Sequence, residues 1–141
     1  MTEFDFKDCN GPVPAKKHSN GGGWVADTAT VADSAYVGPD ARVFGDAEVS
    51  GNARVSDNAR VSGYARVSGS ALVAGDAWVT DNAQVFGNSR VFGYAQVSGD
   101  AKVAGDAVVS GNARVSGNAW VFGDAEVSGN ARVSGNAWVF D

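Results

Sequence analysis

The amino-acid sequence predicts an all-β solenoid, in which one short strand-and-turn unit is stacked repeatedly along a single axis. Valine occupies every sixth position from Val25 to Val139, which makes twenty valines in register. The residue two positions before each valine is alanine in eighteen cases, and the exceptions are Gly23 and Ser89. Glycine stands two positions after the valine in fourteen of the repeats. Self-similarity at a fixed period is the signature of a solenoid.

Each six-residue repeat has the pattern of a short strand followed by a corner. Alanine and valine two positions apart point to the same side of an extended strand, so the repeat has one apolar face. The Gly-Asn or Gly-Asp pair that commonly follows is typical of turns, because glycine and asparagine tolerate a positive φ. A helix is excluded, since a period of six does not keep valine on one helical face. Glycine in every repeat would also cost about 1 kcal/mol each in a helix.

The commonest form of the repeat, Val-Ser-Gly-Asn-Ala-Arg, resembles the hexapeptide repeat of left-handed parallel β-helices. Bacterial acyltransferases and γ-class carbonic anhydrases carry such repeats, and the chain is most similar to uncharacterised hexapeptide-repeat proteins of bacteria and their phages. The resemblance implies a triangular coil of three hexads, six to seven coils and left-handed winding. It covers residues 24–141, which we assign to the β-helix. Residues 1–23 do not repeat and are predicted to form an N-terminal cap segment.

The cap segment has its own short-range signals. Phe4-Asp5-Phe6 alternates like a short strand, and Asn10-Gly11-Pro12 is a turn signal. We expect Phe4 and Phe6 to cover the apolar end of the first coil, since an open end exposes unpaired strand edges. The sequence shows no comparable device after the last repeat. Either the last coil contacts another chain or the sequence is truncated there.

Composition and charge narrow the function classes. The net charge is −5, from 11 basic and 16 acidic residues, which does not suggest a protein that wraps a nucleic acid polymer. No apolar run approaches 18 residues, so we expect no membrane span. The N-terminus lacks the regions of a signal peptide, and Cys9 is the only cysteine, which rules out an intrachain disulfide. A cytoplasmic location fits these features, and it would be the host cytoplasm if the chain is phage-encoded.

Three hexads per coil place outward residues eighteen positions apart in columns. The column just before the valines of the first face is rich in arginine and tryptophan. Its members are Trp24, Arg42, Arg60, Trp78, Gln96, Arg114 and Arg132. Arginine offers forked donors for phosphate or carboxylate, and tryptophan offers a stacking plane. We therefore expect an anionic, nucleotide-like small molecule to bind at Arg42, Arg60, Trp78, Arg114 and Arg132. The alternative is a solvated face whose arginines pair with Glu48, Glu126 and the corner aspartates.

The second face becomes aromatic toward the C-terminus. Its column before the valines consists of Thr30, Glu48, Arg66, Gln84, Lys102, Trp120 and Trp138, and the third face carries Tyr36, Arg54, Leu72, Arg90, Val108 and Glu126. Large exposed apolar patches usually mark interfaces. We therefore expect a homo-oligomer, either a trimer, as the resemblance implies, or an end-to-end dimer. The predicted interface residues are Phe86, Trp120, Phe122, Trp138 and Phe140.

The sequence offers few residues for catalysis or metal binding. His18 is the only histidine, and because it precedes the repeats we expect a solvated loop side chain. Cys9 could be a nucleophile with His18 as its base, but an idle thiol in the cap is the simpler interpretation. One histidine does not supply the three ligands of the γ-class carbonic anhydrase zinc site. Corner acids such as Asp106 and Asp124 form no regular ladder of calcium ligands. We predict no metal and no cofactor.

Two functions from different classes are compatible with these features. The first is a non-catalytic oligomeric scaffold or binding protein. The second is a hexapeptide-repeat acyltransferase with an acyl-coenzyme A donor, since such enzymes use a histidine as general base. The repeats contain no histidine and no inserted loop, and so uniform a sequence offers few distinct positions for a preorganised catalytic site. We therefore expect a binding scaffold rather than an enzyme.

Overall fold

The computed structural model describes residues 3–8 and 10–140, which form twenty-two β-strands and, within those ranges, no helix. The first three strands are β1 (Glu3–Asp5), β2 (Pro12–Lys17) and β3 (Trp24–Ala26). The other strands are two residues long and each ends at a valine of the repeat. They are β4 (Thr30–Val31), β5 (Tyr36–Val37), β6 (Arg42–Val43), β7 (Glu48–Val49), β8 (Arg54–Val55), β9 (Arg60–Val61), β10 (Arg66–Val67), β11 (Leu72–Val73), β12 (Trp78–Val79), β13 (Gln84–Val85), β14 (Arg90–Val91), β15 (Gln96–Val97), β16 (Lys102–Val103), β17 (Val108–Val109), β18 (Arg114–Val115), β19 (Trp120–Val121), β20 (Glu126–Val127), β21 (Arg132–Val133) and β22 (Trp138–Val139).

The strands form three sheets that wrap the chain into a parallel β-solenoid of about six turns. Every third strand of the repeat region joins the same sheet. The first sheet runs β1-β2-β3-β6-β9-β12-β15-β18-β21, the second β4-β7-β10-β13-β16-β19-β22, and the third β5-β8-β11-β14-β17-β20. Neighbouring strands are in a register of eighteen residues, as in the pairing of Arg42 with Arg60. This confirms the triangular solenoid of three hexads per coil, while the left-handed winding stays a prediction from the resemblance.

The interior of the solenoid is a column of valine and alanine. Every repeat valine from Val37 to Val121 is fully buried. Ser89 takes the place of an alanine, and its buried hydroxyl donates a hydrogen bond to the carbonyl oxygen of Phe86 at 2.8 Å. Ala131 and Ala137 are exposed, because no described strand is stacked on the last coil. The predicted core is therefore continuous and thins only at its ends.

The corners depend on residues that accept a positive φ. Gly75 has a φ of 67°, and a Cβ there would lie 2.8 Å from the backbone nitrogen of Gly93 in the next coil. Aspartate replaces this glycine at Asp57 and Asp81, where φ is 56° and 59°. The Asp57 carboxylate accepts a hydrogen bond from the Gly75 N–H at 3.1 Å. This bond offsets part of the strain of a left-handed aspartate.

The N-terminal segment covers the starting edges of two sheets. Strands β1 and β2 form an antiparallel hairpin, and β2 pairs antiparallel with β3 at the edge of the first sheet. Along the third sheet, the Val37 N–H donates to the Asn20 carbonyl at 3.1 Å. Phe4 and Phe6 were expected over the interior, but their rings stack on Trp24 and Phe44, which lie on the outer side of the first sheet. The reason is that β2 extends the sheet instead of crossing the end of the coil.

Candidate ligand site on the first sheet

The register of the first sheet places the predicted column of arginine and tryptophan on consecutive strands. Arg42 on β6 is paired with Arg60 on β9, and Arg60 is paired with Trp78 on β12. Adjacent parallel strands are about 4.8 Å apart, so the three side chains leave the sheet close together. Arg42 and Arg60 are half-buried, whereas Trp78 keeps 41% of its surface exposed.

These side chains line a cleft of about 320 Å³ that opens to solvent. Three corner residues complete its wall: Asp40, Asn58 and Asp76. Each of them precedes an arginine or tryptophan of the column by two positions. The cleft therefore combines cationic, aromatic and hydrogen-bond-accepting groups.

Both arginines of the cleft are stacked on aromatic rings. The Arg60 guanidinium carbon lies 5.0 Å from the centroid of the Trp78 ring, and that of Arg42 lies 4.9 Å from the Phe4 ring. Stacking of this kind orders the guanidinium plane and leaves its N–H groups at the edge free to donate. The two forks are thus held in place without a carboxylate.

Ion pairing does not neutralise these arginines in the part of the chain that the structure describes. Within 4.0 Å, the ion pairs there are Arg66 with Glu48, at 3.0 Å, and Lys7 with Asp5, at 3.8 Å. Among the described residues, no arginine of the column therefore forms the ion pairs expected with Glu48, Glu126 or the corner aspartates, and the solvated face stays the alternative to a ligand site. Only Arg66, on the second sheet, meets one of those carboxylates.

The other two arginines of the prediction lie farther along the same sheet. Arg114 and Arg132 are on the neighbouring strands β18 and β21, and both are exposed. Gln96 on β15 separates them from Trp78, and they do not line the cleft. The structure thus brings together Arg42, Arg60 and Trp78, and it places Arg114 and Arg132 as a second basic pair.

A second arginine cleft lies on the third sheet and serves as a natural comparison. It has a volume of about 340 Å³, and Arg54, Leu72 and Arg90 cross it on consecutive strands. Leu72 separates the two arginines, and no aromatic side chain lines this cleft. This third-sheet cleft therefore has two arginines without the aspartates of the first-sheet cleft, and it has neither guanidinium groups on adjacent strands nor a stacking plane.

The predicted interface residues occupy one end of the second sheet. We call Trp120, Phe122, Trp138 and Phe140 the aromatic patch. Trp120 and Trp138 have ring centroids 6.1 Å apart, and Phe122 and Phe140 are stacked at 5.1 Å. Phe86 lies in the same column as Phe122 but two strands away, on the far side of Ala104. The structure therefore joins four of the five residues and sets Phe86 apart.

The prediction for His18 is wrong, because this side chain is 8% exposed and not solvated. Its Nε2 lies 2.9 Å from the carbonyl oxygen of Ala35, at the starting edge of the third sheet. The chain turns at residues 18–23 to follow that edge, and this turn buries the ring. Cys9 lies outside the described residues. The ranges 3–8 and 10–140 contain no group of three or more histidine, cysteine, aspartate or glutamate side chains placed to hold a metal ion, and no helix that could span a membrane.

Comparison with known proteins agrees with this architecture. The family model of the YdcK β-solenoid repeat matches the chain at residues 47–63, 53–69, 95–111, 109–123 and 125–140. No curated protein and no solved structure matched the chain. The matched stretches all lie within the three-sheet solenoid. The chain is therefore a β-solenoid repeat protein, similar over these stretches to the YdcK repeat.

Proposed function

We propose that this β-solenoid is a non-catalytic oligomeric binding scaffold, and that the cleft of Arg42, Arg60 and Trp78 binds an anionic, nucleotide-like small molecule. One observation carries the proposal. Two guanidinium groups on adjacent strands have no carboxylate within 4.0 Å among the described residues, and they open beside an exposed indole ring.

The arginine pair suits a phosphate group. The strands that carry the two arginines are about 4.8 Å apart, so both guanidinium groups can donate to oxygens of one phosphate or of two linked phosphates. Their positions are already ordered by stacking on Phe4 and Trp78. Ordering before binding reduces the entropy that the ligand must otherwise overcome.

The rest of the cleft favours a ligand with a planar ring and hydrogen-bond donors. Trp78 keeps enough exposed ring surface for a base to stack against it. Asp40 and Asp76 add carboxylate acceptors, and Asn58 adds an amide. Sugar hydroxyl and base amino groups can donate to them, and a nucleotide carries more such donors than inorganic phosphate does. The cleft is therefore suited to a nucleotide more than to a bare anion.

The geometry supports binding rather than acyl transfer. His18 is the one histidine available as a general base, and it belongs to the edge of the third sheet, outside the cleft. Its Nε2 is already engaged with the Ala35 carbonyl. Incubation with acetyl-coenzyme A and an acceptor panel tests this part, and turnover that His18→Ala abolishes would favour the enzyme.

Titration calorimetry against mono-, di- and cyclic nucleotides at low salt tests the binding site. We expect at least one nucleotide to bind more tightly than about 1 mM, and both Arg60→Ala and Trp78→Ala to weaken it at least about tenfold. Arg54→Ala is the matched control, since it removes an arginine from the third-sheet cleft, and it should leave the affinity unchanged. No binding tighter than about 1 mM, or equal affinity in all three variants, would contradict the proposal.

A further inference from the structure

The aromatic patch exposes far more apolar surface than the rest of the second sheet. Trp138 and Phe140 are 64% and 63% exposed, and their rings continue a stack that begins at Trp120 and Phe122. Apolar surface of this kind is stabilised when another surface removes it from water.

The order of large and small side chains on the second sheet indicates which surface covers the aromatic patch. The column after the valines reads Phe86, Ala104, Phe122 and Phe140, so a small side chain lies between large ones. Ala104 is 7% exposed and lies between Phe86 and Phe122 in this column. We call the position above its small side chain the recess. In the column before the valines, Lys102 separates Gln84 from the tryptophans, and its Nζ lies 4.6 Å from the Trp120 ring centroid.

We infer that the aromatic patch docks on a second copy of this chain, second sheet against second sheet, with the two solenoid axes antiparallel. The inference rests on the oligomeric part of the proposed function and adds the partner and its orientation. A two-fold axis along the strand direction, passing between β16 and β19, relates the copies. Phe122 of each copy then enters the recess at Ala104 of the other.

The same two-fold axis also places the other residues of the aromatic patch opposite suitable side chains of the second copy. Trp120 lies opposite Lys102, so each ammonium group approaches a tryptophan ring of its own chain and one of the partner chain. Phe140 lies opposite Phe86, which explains the isolated phenylalanine two strands from the patch. The exposed Trp138 covers the amide of Gln84. Aromatic rings of one copy thus meet a cation, a small side chain or a ring of the other.

A parallel arrangement is less favourable. A two-fold axis along the solenoid sets each strand against the same strand of the partner and exchanges the two columns. Trp120 then opposes Phe122, and Trp138 opposes Phe140, so large side chains meet large ones. These large side chains would hold the sheets apart. The small side chain of Ala104 on β16 would then have no contact with the partner. The two Lys102 side chains would also share one strand level, with like charges close together.

One rim of the antiparallel interface carries like charges, which gives a distinctive salt dependence. Asp106 and Asp124 stack at the corner that follows the second sheet, and both are exposed. The axis brings this corner of one copy beside the same corner of the other. Added salt screens that repulsion, so we expect the dimer to tighten between low and physiological ionic strength. An interface held by ion pairs would weaken instead.

Single-cysteine variants in a Cys9→Ser background test the orientation. In the antiparallel dimer, Asp106→Cys places the two thiols about one strand spacing apart along the length of the solenoids, so a short bismaleimide should link the copies. Asn52→Cys is the matched control, because it is exposed at the same corner three coils away. It should not cross-link, since its counterparts would be roughly 30 Å apart.

Light scattering supplies the second arm of the experiment. We expect the unaltered chain at micromolar concentration to have twice the chain mass of 14.4 kDa, and Trp138→Ser with Phe140→Ser to weaken association at least tenfold while circular dichroism stays unchanged. A monomeric or trimeric mass, or equal cross-linking of Asp106→Cys and Asn52→Cys, would overturn the inference. The nucleotide cleft lies on another sheet, so failure of nucleotide binding would leave these results intact.

Discussion

The first-sheet cleft and the third-sheet cleft each carry two arginines on three consecutive strands, but they arrange them differently. On the first sheet Arg42 and Arg60 are adjacent and Trp78 follows. On the third sheet Leu72 separates Arg54 from Arg90. The clefts have similar volumes, about 320 and 340 Å³, yet only the first has guanidinium groups stacked on rings. The order of three outward residues therefore distinguishes a candidate binding site from a merely basic surface.

The different order of outward residues on the two sheets does not change the interior. The valines behind both clefts are fully buried, and the outward residue beside each of them does not enter the core. A solenoid of this kind can therefore change the chemistry of one sheet without repacking another. Both clefts depend on the same valine interior and on the same kind of glycine corner, and a single substitution can disrupt either of these alone.

The largest effect should come from Val85→Asp, which breaks the interior behind every sheet. Val85 is fully buried, and an unpaired carboxylate in that column should cost several kcal/mol. We expect loss of cooperative unfolding or a strongly lowered urea midpoint. Gln96→Asp, at an exposed outward position, is the control and should unfold like the unaltered chain. Equal midpoints for the two variants would contradict a valine interior.

A smaller effect should follow from Gly75→Ala, at the corner that joins the third-sheet strand β11 to the first-sheet strand β12. The new Cβ would lie 2.8 Å from the Gly93 nitrogen, in a backbone with a φ of 67°. Gly129→Ala is the matched control, because Gly129 lies in the same corner column with a φ of 65° and no atom near its Cβ position. Both variants bear the left-handed strain of about 1–2 kcal/mol. Gly75→Ala should lose about 1–3 kcal/mol more in urea unfolding, because the next coil must shift. Equal losses would show that the coils do not stack closely at this corner.

The periodic part of the molecule could be predicted from the sequence, and the rest could not. The pairing of Arg60 with Trp78 follows from the period alone, since eighteen residues separate them. The contact of Arg42 with Phe4 does not, because a hairpin outside the period brings Phe4 to the first sheet. His18 was wrongly expected in solvent for the same reason: its burial depends on where a non-repeating turn lies against the third sheet.

The corner residues of the cleft mark a second limit. Asp40, Asn58 and Asp76 fit the repeat as ordinary turn residues, and their identity alone predicts hydrogen bonds to their own backbone. Whether such a side chain faces a neighbouring sheet depends on backbone angles at the corner, which the six-residue pattern does not specify. The basic and aromatic groups of the site were therefore predictable, whereas its acceptors required the structure.

A reciprocal exchange between the two clefts tests most directly whether the order of outward residues creates the site. Calorimetry would compare Trp78→Leu, Leu72→Trp and the double variant, using the nucleotide that binds the unaltered chain most tightly. Loss of base stacking costs about 1–3 kcal/mol, so Trp78→Leu should weaken binding about tenfold or more. Leu72→Trp should leave the affinity unchanged, and the double variant should stay weak, because Arg54 and Arg90 are not adjacent. Full affinity in Trp78→Leu, or recovery in the double variant, would contradict this account.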